Sequence, residues 1–288
     1  ALRQIRRDVF HFRTHRAEKH KGKSGQGFYN DVMVAHDELV GSLLDQLDEL
    51  GIADNTIVMY GTDNGAEIMI WPDGGMTPFH GEKDTTWEGG FRVPSMVRWP
   101  GHIEAGIISN EIMSHQDWLP TLLAAAGAPD VKEKLLKGYR AGNKTFKVHL
   151  DGYNFLPYLT GEEDHGPRRE FIYFTDDGDV SALRYKDWKV MFLEQRADGF
   201  KVWREPLVPL RWPRLINLRR DPFERAATED GMIQYDLWAT QRMFTLVPAQ
   251  FLVKDYLESY IDFPPRQKAG SFGIDQVIEK LEKRAMKD

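Results

Sequence analysis

The sequence predicts an α/β protein with a smaller carboxy-terminal α+β portion that carries a short antiparallel sheet. Two patterns support this fold class. Between residues 28 and 60, an amphipathic helix, a tight turn and an apolar run follow one another, as in an α/β unit. After about residue 165, short strand-like runs alternate with turn residues, which is typical of an antiparallel meander. We therefore predict two parts, residues 1–165 and residues 166–288.

The first part begins with a predicted helix over residues 28–50. Apolar side chains recur every three or four positions from Phe28 to Leu50, and Gly51 is suited to end the helix. The apolar residues 56–60 then predict a strand that is covered on both faces. Residues 93–99 predict a second strand, and residues 117–126 a helix that Asp117 can cap.

The second part is predicted to be mainly an antiparallel sheet. Residues 170–175, 180–185 and 188–194 are strand-like, and residues 214–218 could add a further strand. The apolar residues of the last segment then recur with helical spacing, which predicts a final amphipathic helix. These residues are Ile274, Val277, Ile278 and Leu281.

Composition indicates a globular protein and argues against several classes of partner. Hydrophobic residues make up 41% and charged residues 28% of the chain, and the formal net charge is −6. A negative net charge argues against nucleic acid as the main partner. No apolar run approaches the ~18 residues that would predict a membrane span. The chain has no cysteine, which excludes disulfides and thiolate metal sites within it.

Asp63 and Asn64 are the first candidate site residues. They directly follow the predicted buried strand, and ligands of open α/β sheets bind beyond the carboxyl ends of strands. A carboxylate and an amide carbonyl are hard oxygen donors that suit Ca²⁺ or Mg²⁺. Gly65 would let the backbone turn sharply behind them. The alternative interpretation is a plain Asx turn without a ligand.

Lys83 and the histidines near the start are further candidates. Lys83 lies among glycines just before a predicted strand, and its ammonium suits a tetrahedral oxyanion such as sulfate or phosphate. The alternative is a solvated loop lysine. His11, His15 and His20 could protonate a leaving oxygen at neutral pH. The alternative is that they are surface residues of a basic segment.

The order and spacing of these motifs, taken together, resemble type I sulfatases from about residue 11 onwards. The segments that carry the resemblance are residues 22–29 (GKSGQGFY), 35–41 (AHDELVG), 55–60 (NTIVMY), 62–65 (TDNG), 81–83 (GEK), 87–90 (WEGG), 92–94 (RVP), 117–122 (DWLPTL) and 217–224 (NLRRDPFE). The resemblance implies part of an alkaline-phosphatase-like α/β fold with a smaller carboxy-terminal domain.

The resemblance also implies a chemistry, the hydrolysis of a sulfate monoester by a formylglycine nucleophile beside Ca²⁺, with Mg²⁺ as the other candidate. Asp63 and Asn64 would be two ligands of the cation, and Lys83 would contact the sulfate and the leaving oxygen. His11, or else His15, would touch the sulfate. The substrate would be a small-molecule or saccharide sulfate ester. Candidates for lining the entrance are Trp71, Trp87 and His80.

Two parts of the family pattern have no counterpart in this sequence. The chain contains neither a cysteine nor a Ser-x-Pro-x-Arg stretch that could become formylglycine, and the family's amino-terminal pair of aspartates is missing. We therefore expect a carboxy-terminal fragment that has no sulfatase activity alone, with the formylglycine in an upstream part. Export to the periplasm or secretion is expected by resemblance. The alternatives are a phosphodiesterase or phosphonate monoester hydrolase of the same superfamily, and a binding remnant without catalysis.

Overall fold

The computed structural model describes residues 16–228, residues 233–266 and residue 270. The described helices are Phe28–Glu49 (α1), Glu88–Phe91 (α2), Trp118–Ala125 (α3), Val131–Lys137 (α4), Leu156–Leu159 (α5), Ile233–Thr240 (α6) and Leu246–Asp262 (α7). The described strands are Val58–Gly61 (β1), Ser95–Arg98 (β2), Tyr139–Ala141 (β3), Lys144–Phe146 (β4), Glu170–Phe174 (β5), Val180–Tyr185 (β6), Trp188–Glu194 (β7) and Val208–Asn217 (β8). Among the helices in these ranges, none is long and apolar enough to cross a membrane.

The helix–turn–strand order predicted near the start is confirmed, but the burial of the strand is not. Helix α1 ends at Glu49, and Gly51 follows with a φ of 64°, a conformation that glycine adopts without strain. Strand β1 pairs with β2 in an antiparallel ladder that aligns Met59 with Val97. Met59 is 38% exposed and Met96 is 57% exposed. The prediction of a strand covered on both faces was therefore wrong for the described residues, in which β1 has β2 as its sole sheet neighbour.

Asp117 lies where a helix begins, as predicted, but its side chain does not cap helix α3. The carboxylate accepts hydrogen bonds from the backbone amides of Ser114 and Tyr153, each at 2.7 Å. It also pairs with the Arg168 guanidinium at 2.6 and 2.8 Å, and both side chains are buried. Asp117 therefore joins the start of α3 to distant segments of the chain. This role replaces the predicted helix cap.

The antiparallel meander is present as predicted. Strands β5, β6, β7 and β8 form one sheet in sequence order. A two-residue turn, Lys186–Asp187, joins β6 to β7, because Tyr185 lies opposite Trp188. The fourth strand is longer than the predicted residues 214–218, since it begins at Val208. The predicted final helix lies outside the described residues.

The two faces of this sheet pack against different elements because side chains alternate along each strand. One face contributes Tyr173, Ala182, Met191 and Ile216 to a core that includes Trp87 and packs against Phe91 of α2. The opposite face contributes Ile172, Leu183, Val190 and Leu215, which pack with residues of α6 and α7 such as Trp238 and Ala249. Helix α2 belongs to the segment that contains Lys83, so the first face connects the sheet to the candidate site.

Candidate active site

Two loops meet at the end of β1, and hydrogen bonds hold them together. We call residues 62–67 the acidic loop and residues 79–90 the lysine loop. The backbone amide of Gly65 donates to the Gly90 carbonyl at 2.9 Å, and the amide of Lys83 donates to the Ala66 carbonyl at 3.2 Å. The fold therefore brings the segment that carries Asp63 and Asn64 next to the segment that carries Lys83.

Two glycines allow the close backbone packing of this region: Gly65 lets the acidic loop approach the lysine loop, and Gly89 lets the lysine loop fold tightly on itself. A Cβ atom on Gly65 would lie 1.6 Å from the carbonyl oxygen of Gly89. A Cβ atom on Gly89 would lie 2.4 Å from the carbonyl oxygens of His80 and Gly81. Both contacts are with backbone atoms, which cannot rotate away as side chains can. The glycines of the two sequence motifs are thus explained by backbone packing.

Asp63 is exposed near the start of the acidic loop. Its Oδ1 accepts hydrogen bonds from the Thr62 hydroxyl at 3.2 Å and from the Asn64 amide at 3.1 Å. The side-chain amide nitrogen of Asn64 donates to the Gly65 carbonyl at 3.0 Å. The ring Nε2 of His115 lies 2.9 Å from the Thr62 carbonyl oxygen, so His115 contacts the backbone of this loop.

The oxygen donors of the acidic loop are of the chemical type that a hard divalent cation prefers, but they are too few for a complete coordination shell. Asp63 supplies a carboxylate and Asn64 an amide carbonyl, whereas Ca²⁺ takes six to eight oxygen ligands. Within residues 16–228, 233–266 and 270, no cluster of three or more His, Cys, Asp or Glu side chains could hold a metal ion. Asp63 and Asn64 alone therefore do not make a cation site.

Lys83 is partly exposed and has two neighbours that the sequence analysis missed. Its Nζ lies 3.5 Å from Oε1 of Glu67, on the acidic loop. The same Nζ lies 5.1 Å from the ring centroid of Trp203, which is within the range of a cation–π interaction. Glu67 follows Asn64 by three residues, so its position in the sequence could have suggested it as a neighbour of the site. No sequence signal connects Trp203, 120 positions away, to the lysine.

Glu82 is buried and joins three segments around Lys83. Its Oε2 accepts a hydrogen bond from the Ile68 amide at 2.7 Å, and its Oε1 accepts one from the Gly199 amide at 2.6 Å. The first bond fixes the end of the acidic loop, and the second fixes the short 3₁₀ helix Gly199–Trp203. One carboxylate thus positions the segments on both sides of the lysine.

Asp84 carries an unusual protonation equilibrium beside Lys83. Burial raises the pKa of Asp84, the Lys83 ammonium opposes the shift, and the charges of Asp176 and Asp177 add to it, which together give a pKa of about 6. The residue also has a φ of 66°, a left-handed conformation that Asp and Asn tolerate better than most residues. This carboxyl group therefore changes charge between pH 5 and 7.

A buried ionic cluster links the lysine loop to the four-stranded sheet. Nζ of Lys189 lies 3.2 Å from Glu88 Oε1 and 2.7 Å from Glu224 Oε1, and all three side chains are fully buried. Glu88 also accepts hydrogen bonds from the Tyr173 hydroxyl at 2.5 Å and from Arg184 at 3.2 Å. The backbone amide of Glu88 donates to Glu224 at 2.7 Å.

The two carboxylates of this cluster respond oppositely to their surroundings. Burial on its own would raise the pKa of Glu88, but Lys189 and Arg184 outweigh burial and lower this pKa. Burial raises the pKa of Glu224, although Lys189 opposes the shift. Burial and the Glu88 charge also raise the pKa of Tyr173 well above its usual value. Lys189 is thus the cation shared by two buried acids.

Some of the predicted site residues lie elsewhere. His11 and His15 lie outside the described residues. His20 is buried, and its ring Nε2 lies 2.8 Å from Glu38 of α1, so it joins two local elements. Trp87 does not line an entrance, because it is buried in the core between the lysine loop and the sheet. The His80 ring packs edge-on against Trp87, with 4.5 Å between ring centroids.

Comparison with known proteins gives a consistent set of relatives. The family model described as Sulfatase matches residues 18–128, the segment that contains Asp63, Asn64 and Lys83. The chain is 30% identical to arylsulfatase A of Homo sapiens over 259 residues, which cover 86% of this chain and 47% of that protein. It is 36% identical to N-acetylgalactosamine-6-sulfatase of Homo sapiens over 154 residues, which cover 53% of this chain and 27% of that protein.

A solved structure has a similar fold. The crystal structure of the PsFucS1 sulfatase from Pseudoalteromonas sp. superimposes with a TM-score of 0.64 at 29% sequence identity. The similar region covers 84% of this chain and 47% of that one. The chain thus spans about half the length of arylsulfatase A and of the PsFucS1 sulfatase.

Proposed function

The chain belongs to the sulfatase family, and from this premise we propose that the whole protein hydrolyses sulfate monoesters. In this proposal, residues 1–288 contribute the sulfate-binding lysine and part of a cation site. The observation that carries it is the direct hydrogen bonding of the acidic loop to the lysine loop. This contact supports the proposal because it joins the backbone segments that carry Asp63, Asn64 and Lys83.

Lys83 is proposed to bind the sulfate and to stabilise the leaving oxygen. As the S–O bond breaks, negative charge develops on that oxygen, and a fixed ammonium group nearby lowers the energy of the transition state. In the free protein, Glu67 pairs with Lys83 at 3.5 Å. Since this ion pair is partly exposed, the attraction is weak, and an incoming sulfate can replace the carboxylate.

Asp63 and Asn64 are proposed to bind a divalent cation, and Ca²⁺ is the first candidate. When bound, such a cation would offset the negative charge of Asp63 and attract the anionic ester. Asp63 would supply a carboxylate oxygen, and Asn64 would supply its side-chain carbonyl. Because a shell of six to eight oxygens is needed, further ligands would have to come from outside the acidic loop.

The proposal assigns the nucleophile to residues outside this sequence. Residues 1–288 contain no cysteine and no Ser-x-Pro-x-Arg stretch from which a formylglycine could form. The appropriate material for an activity assay is therefore the protein produced from its full reading frame. Residues 1–288 alone are expected to release no product from a chromogenic aryl sulfate, with or without calcium.

The decisive experiment compares Lys83→Ala with Lys134→Ala in the protein from the full reading frame. Lys134 is the matched control, because it is an exposed lysine of α4 that pairs with Asp130, the residue before the helix. Loss of Lys83 is expected to lower kcat for an aryl sulfate by about 10²–10³-fold, as when one oxyanion donor is removed. Equal activity of the two variants would refute the role of Lys83. Faster turnover of phosphate diesters than of sulfate esters would favour the phosphodiesterase alternative.

The cation site has a test that does not depend on turnover. Calcium that binds the folded protein raises the free energy of unfolding, by about 2.7 kcal/mol at a concentration of 100 times Kd. Asp63→Asn should abolish most of this calcium-dependent increase, whereas Asp130→Asn, a change at an exposed carboxylate just before α4, should leave it unchanged. A calcium effect of the same size in both variants would exclude Asp63 as a ligand.

A further inference from the structure

Trp203 is a partly exposed tryptophan on a firmly held segment. It ends the 3₁₀ helix Gly199–Trp203, and 49% of its surface is accessible. The adjacent Val202 is buried. The buried side-chain amide of Gln195 donates to the carbonyl oxygens of Val202 at 3.3 Å and Glu205 at 2.9 Å. The backbone on both sides of Trp203 is therefore fixed, while its ring contacts solvent.

The same segment is attached directly to the lysine loop. Gly199 donates its amide hydrogen to Glu82 at 2.6 Å, and Glu82 precedes Lys83. The Trp203 ring lies 5.1 Å from Nζ of Lys83. An anion that binds Lys83 would therefore lie beside an aromatic surface that belongs to the carboxy-terminal sheet region.

A partly exposed indole ring beside an anion-binding ammonium suits a ligand with an anionic group and an apolar ring face. A pyranose ring presents such a face through its C–H groups, and its hydroxyls need polar partners. The exposed residues around Trp203 include the charged Asp198, Lys201 and Arg204 and one further aromatic residue, Phe200. The Arg204 guanidinium lies 5.3 Å from the centroid of the Phe200 ring, so the apolar surface here is interrupted by charge. A steroid or other extended apolar group would need a continuous apolar wall instead. The surroundings of Trp203 therefore favour a saccharide.

We propose that Trp203 determines specificity by stacking on the sugar ring of a sulfated saccharide whose sulfate group binds Lys83. This inference rests on the proposed function, since it assigns a substrate class to the same site. N-acetylgalactosamine-6-sulfatase, one of the relatives, has a name that refers to a sulfated sugar. Trp203 is here a binding residue and takes no part in bond breaking.

Fluorine NMR of the protein from its full reading frame, labelled with 5-fluorotryptophan, tests this contact directly. The Trp203 resonance is the one that disappears in Trp203→Phe. N-acetylgalactosamine 6-sulfate is expected to shift this resonance at a lower concentration than unsulfated N-acetylgalactosamine. Inorganic sulfate, which has no ring, is expected to produce a smaller shift. A Trp203 resonance that does not respond to the sulfated sugar would overturn the inference.

Kinetics of Trp203→Ala separate stacking from an indirect effect through Lys83. The variant is expected to raise KM for the sulfated saccharide about tenfold, as for loss of one aromatic anchor, with kcat little changed. Inhibition by inorganic sulfate should be unaltered, and Trp203→Tyr should restore most of the affinity. Trp212→Ala, which removes a tryptophan of similar exposure from β8 (53%), is the matched control.

The remaining outcomes distinguish this inference from the proposed function. If Trp203→Ala weakens inhibition by inorganic sulfate as much as it weakens saccharide binding, Trp203 only positions Lys83, and stacking is refuted. If sulfate esters are hydrolysed but sulfated sugars do not shift the Trp203 resonance, the proposed function is supported and the specificity role of Trp203 is refuted. If no sulfate ester is hydrolysed but the sulfated sugar shifts the Trp203 resonance, the proposed function is refuted and the stacking contact is supported.

Discussion

Replacing Lys189 by methionine should destabilise the protein strongly and disturb the lysine loop. The Lys189 ammonium is fully buried between Glu88 and Glu224, at 3.2 and 2.7 Å. Methionine has a similar length but no charge, so it leaves two buried carboxylates without their shared cation. Glu88 keeps Arg184 as a partner, whereas Glu224 loses its ion-pair partner in the cluster. Removing one partner of a buried ion pair costs about 3–5 kcal/mol of unfolding free energy.

Urea denaturation of three variants measures this effect and its origin. Lys189→Met should lower the free energy of unfolding by about 3–5 kcal/mol. The control is Lys254→Met, which breaks an exposed pair with Glu258 and should change this free energy by less than ~1 kcal/mol. The double variant Lys189→Met/Glu224→Gln removes the unpaired charge and should recover part of the loss. If the double variant is less stable than Lys189→Met, an unpaired buried carboxylate is not the cause of the destabilisation. A cost below ~1 kcal/mol for Lys189→Met would refute the reasoning altogether.

Three further predictions concern the backbone, a titrating group and a buried ion pair. Gly65→Ala should destabilise by about 3 kcal/mol and reduce activity, since its Cβ would overlap a carbonyl oxygen. Gly41→Ala in α1, where no atom lies within 4 Å of the added Cβ, should instead stabilise by up to about 1 kcal/mol. Equal urea midpoints of the two variants would contradict this expectation. The pKa of Asp84 is raised to about 6 in the folded protein. The contribution of this shift to stability is fully present below about pH 4 and is lost as the pH rises through 6. In urea titrations, Asp84→Asn should therefore raise the free energy of unfolding by about 1 kcal/mol at pH 8 and change it little at pH 4. Arg168→Met should cost about 3–5 kcal/mol by thermal or urea unfolding, because it leaves Asp117 buried and unpaired.

The sequence predicted the elements whose pattern is local. Helix α1 and strands β5, β6 and β7 were placed within two residues of their observed ends, because their apolar spacing and bounding turn residues lie within each segment. The start of β8 at Val208 was missed, since the strand contains two prolines and is irregularly paired with β7 around residues 191–193. Proline has no amide hydrogen for the ladder, so this stretch does not have the usual pattern of a strand.

The candidate site could be predicted from the sequence only in part. Asp63, Asn64 and Lys83 were selected by residue type and motif, and the structure shows that their loops are in direct contact. Their roles as ligands and sulfate contact remain proposals. Glu82, Glu88 and Trp203 were not assigned roles, because what each one does depends on a partner more than 80 residues away. These partners are distant in the sequence and come into contact only in the folded protein.

Side-chain alternation in the sheet explains why a charged residue could be placed at its centre. Lys189 lies two positions before Met191, so both side chains are on the face that packs against Trp87 and α2. A lysine in a strand would normally be assigned to solvent, and the sequence gives no reason to do otherwise. It is buried because the lysine loop supplies Glu88 and the turn after β8 supplies Glu224.

The ionic cluster and the Trp203 segment show that the carboxy-terminal sheet takes part in building the candidate site. Glu88 and Lys83 lie on the same loop, and Glu88 is held by Lys189, Arg184 and Tyr173 of the sheet. Glu82 of that loop in turn holds the segment that presents Trp203. A substitution in the sheet that breaks the cluster should therefore alter catalysis as well as stability. The measurement that separates the two effects is kcat of Lys189→Met under conditions where the variant is fully folded. A kcat equal to that of the unmodified protein would show that the sheet supports the loop without setting the position of Lys83.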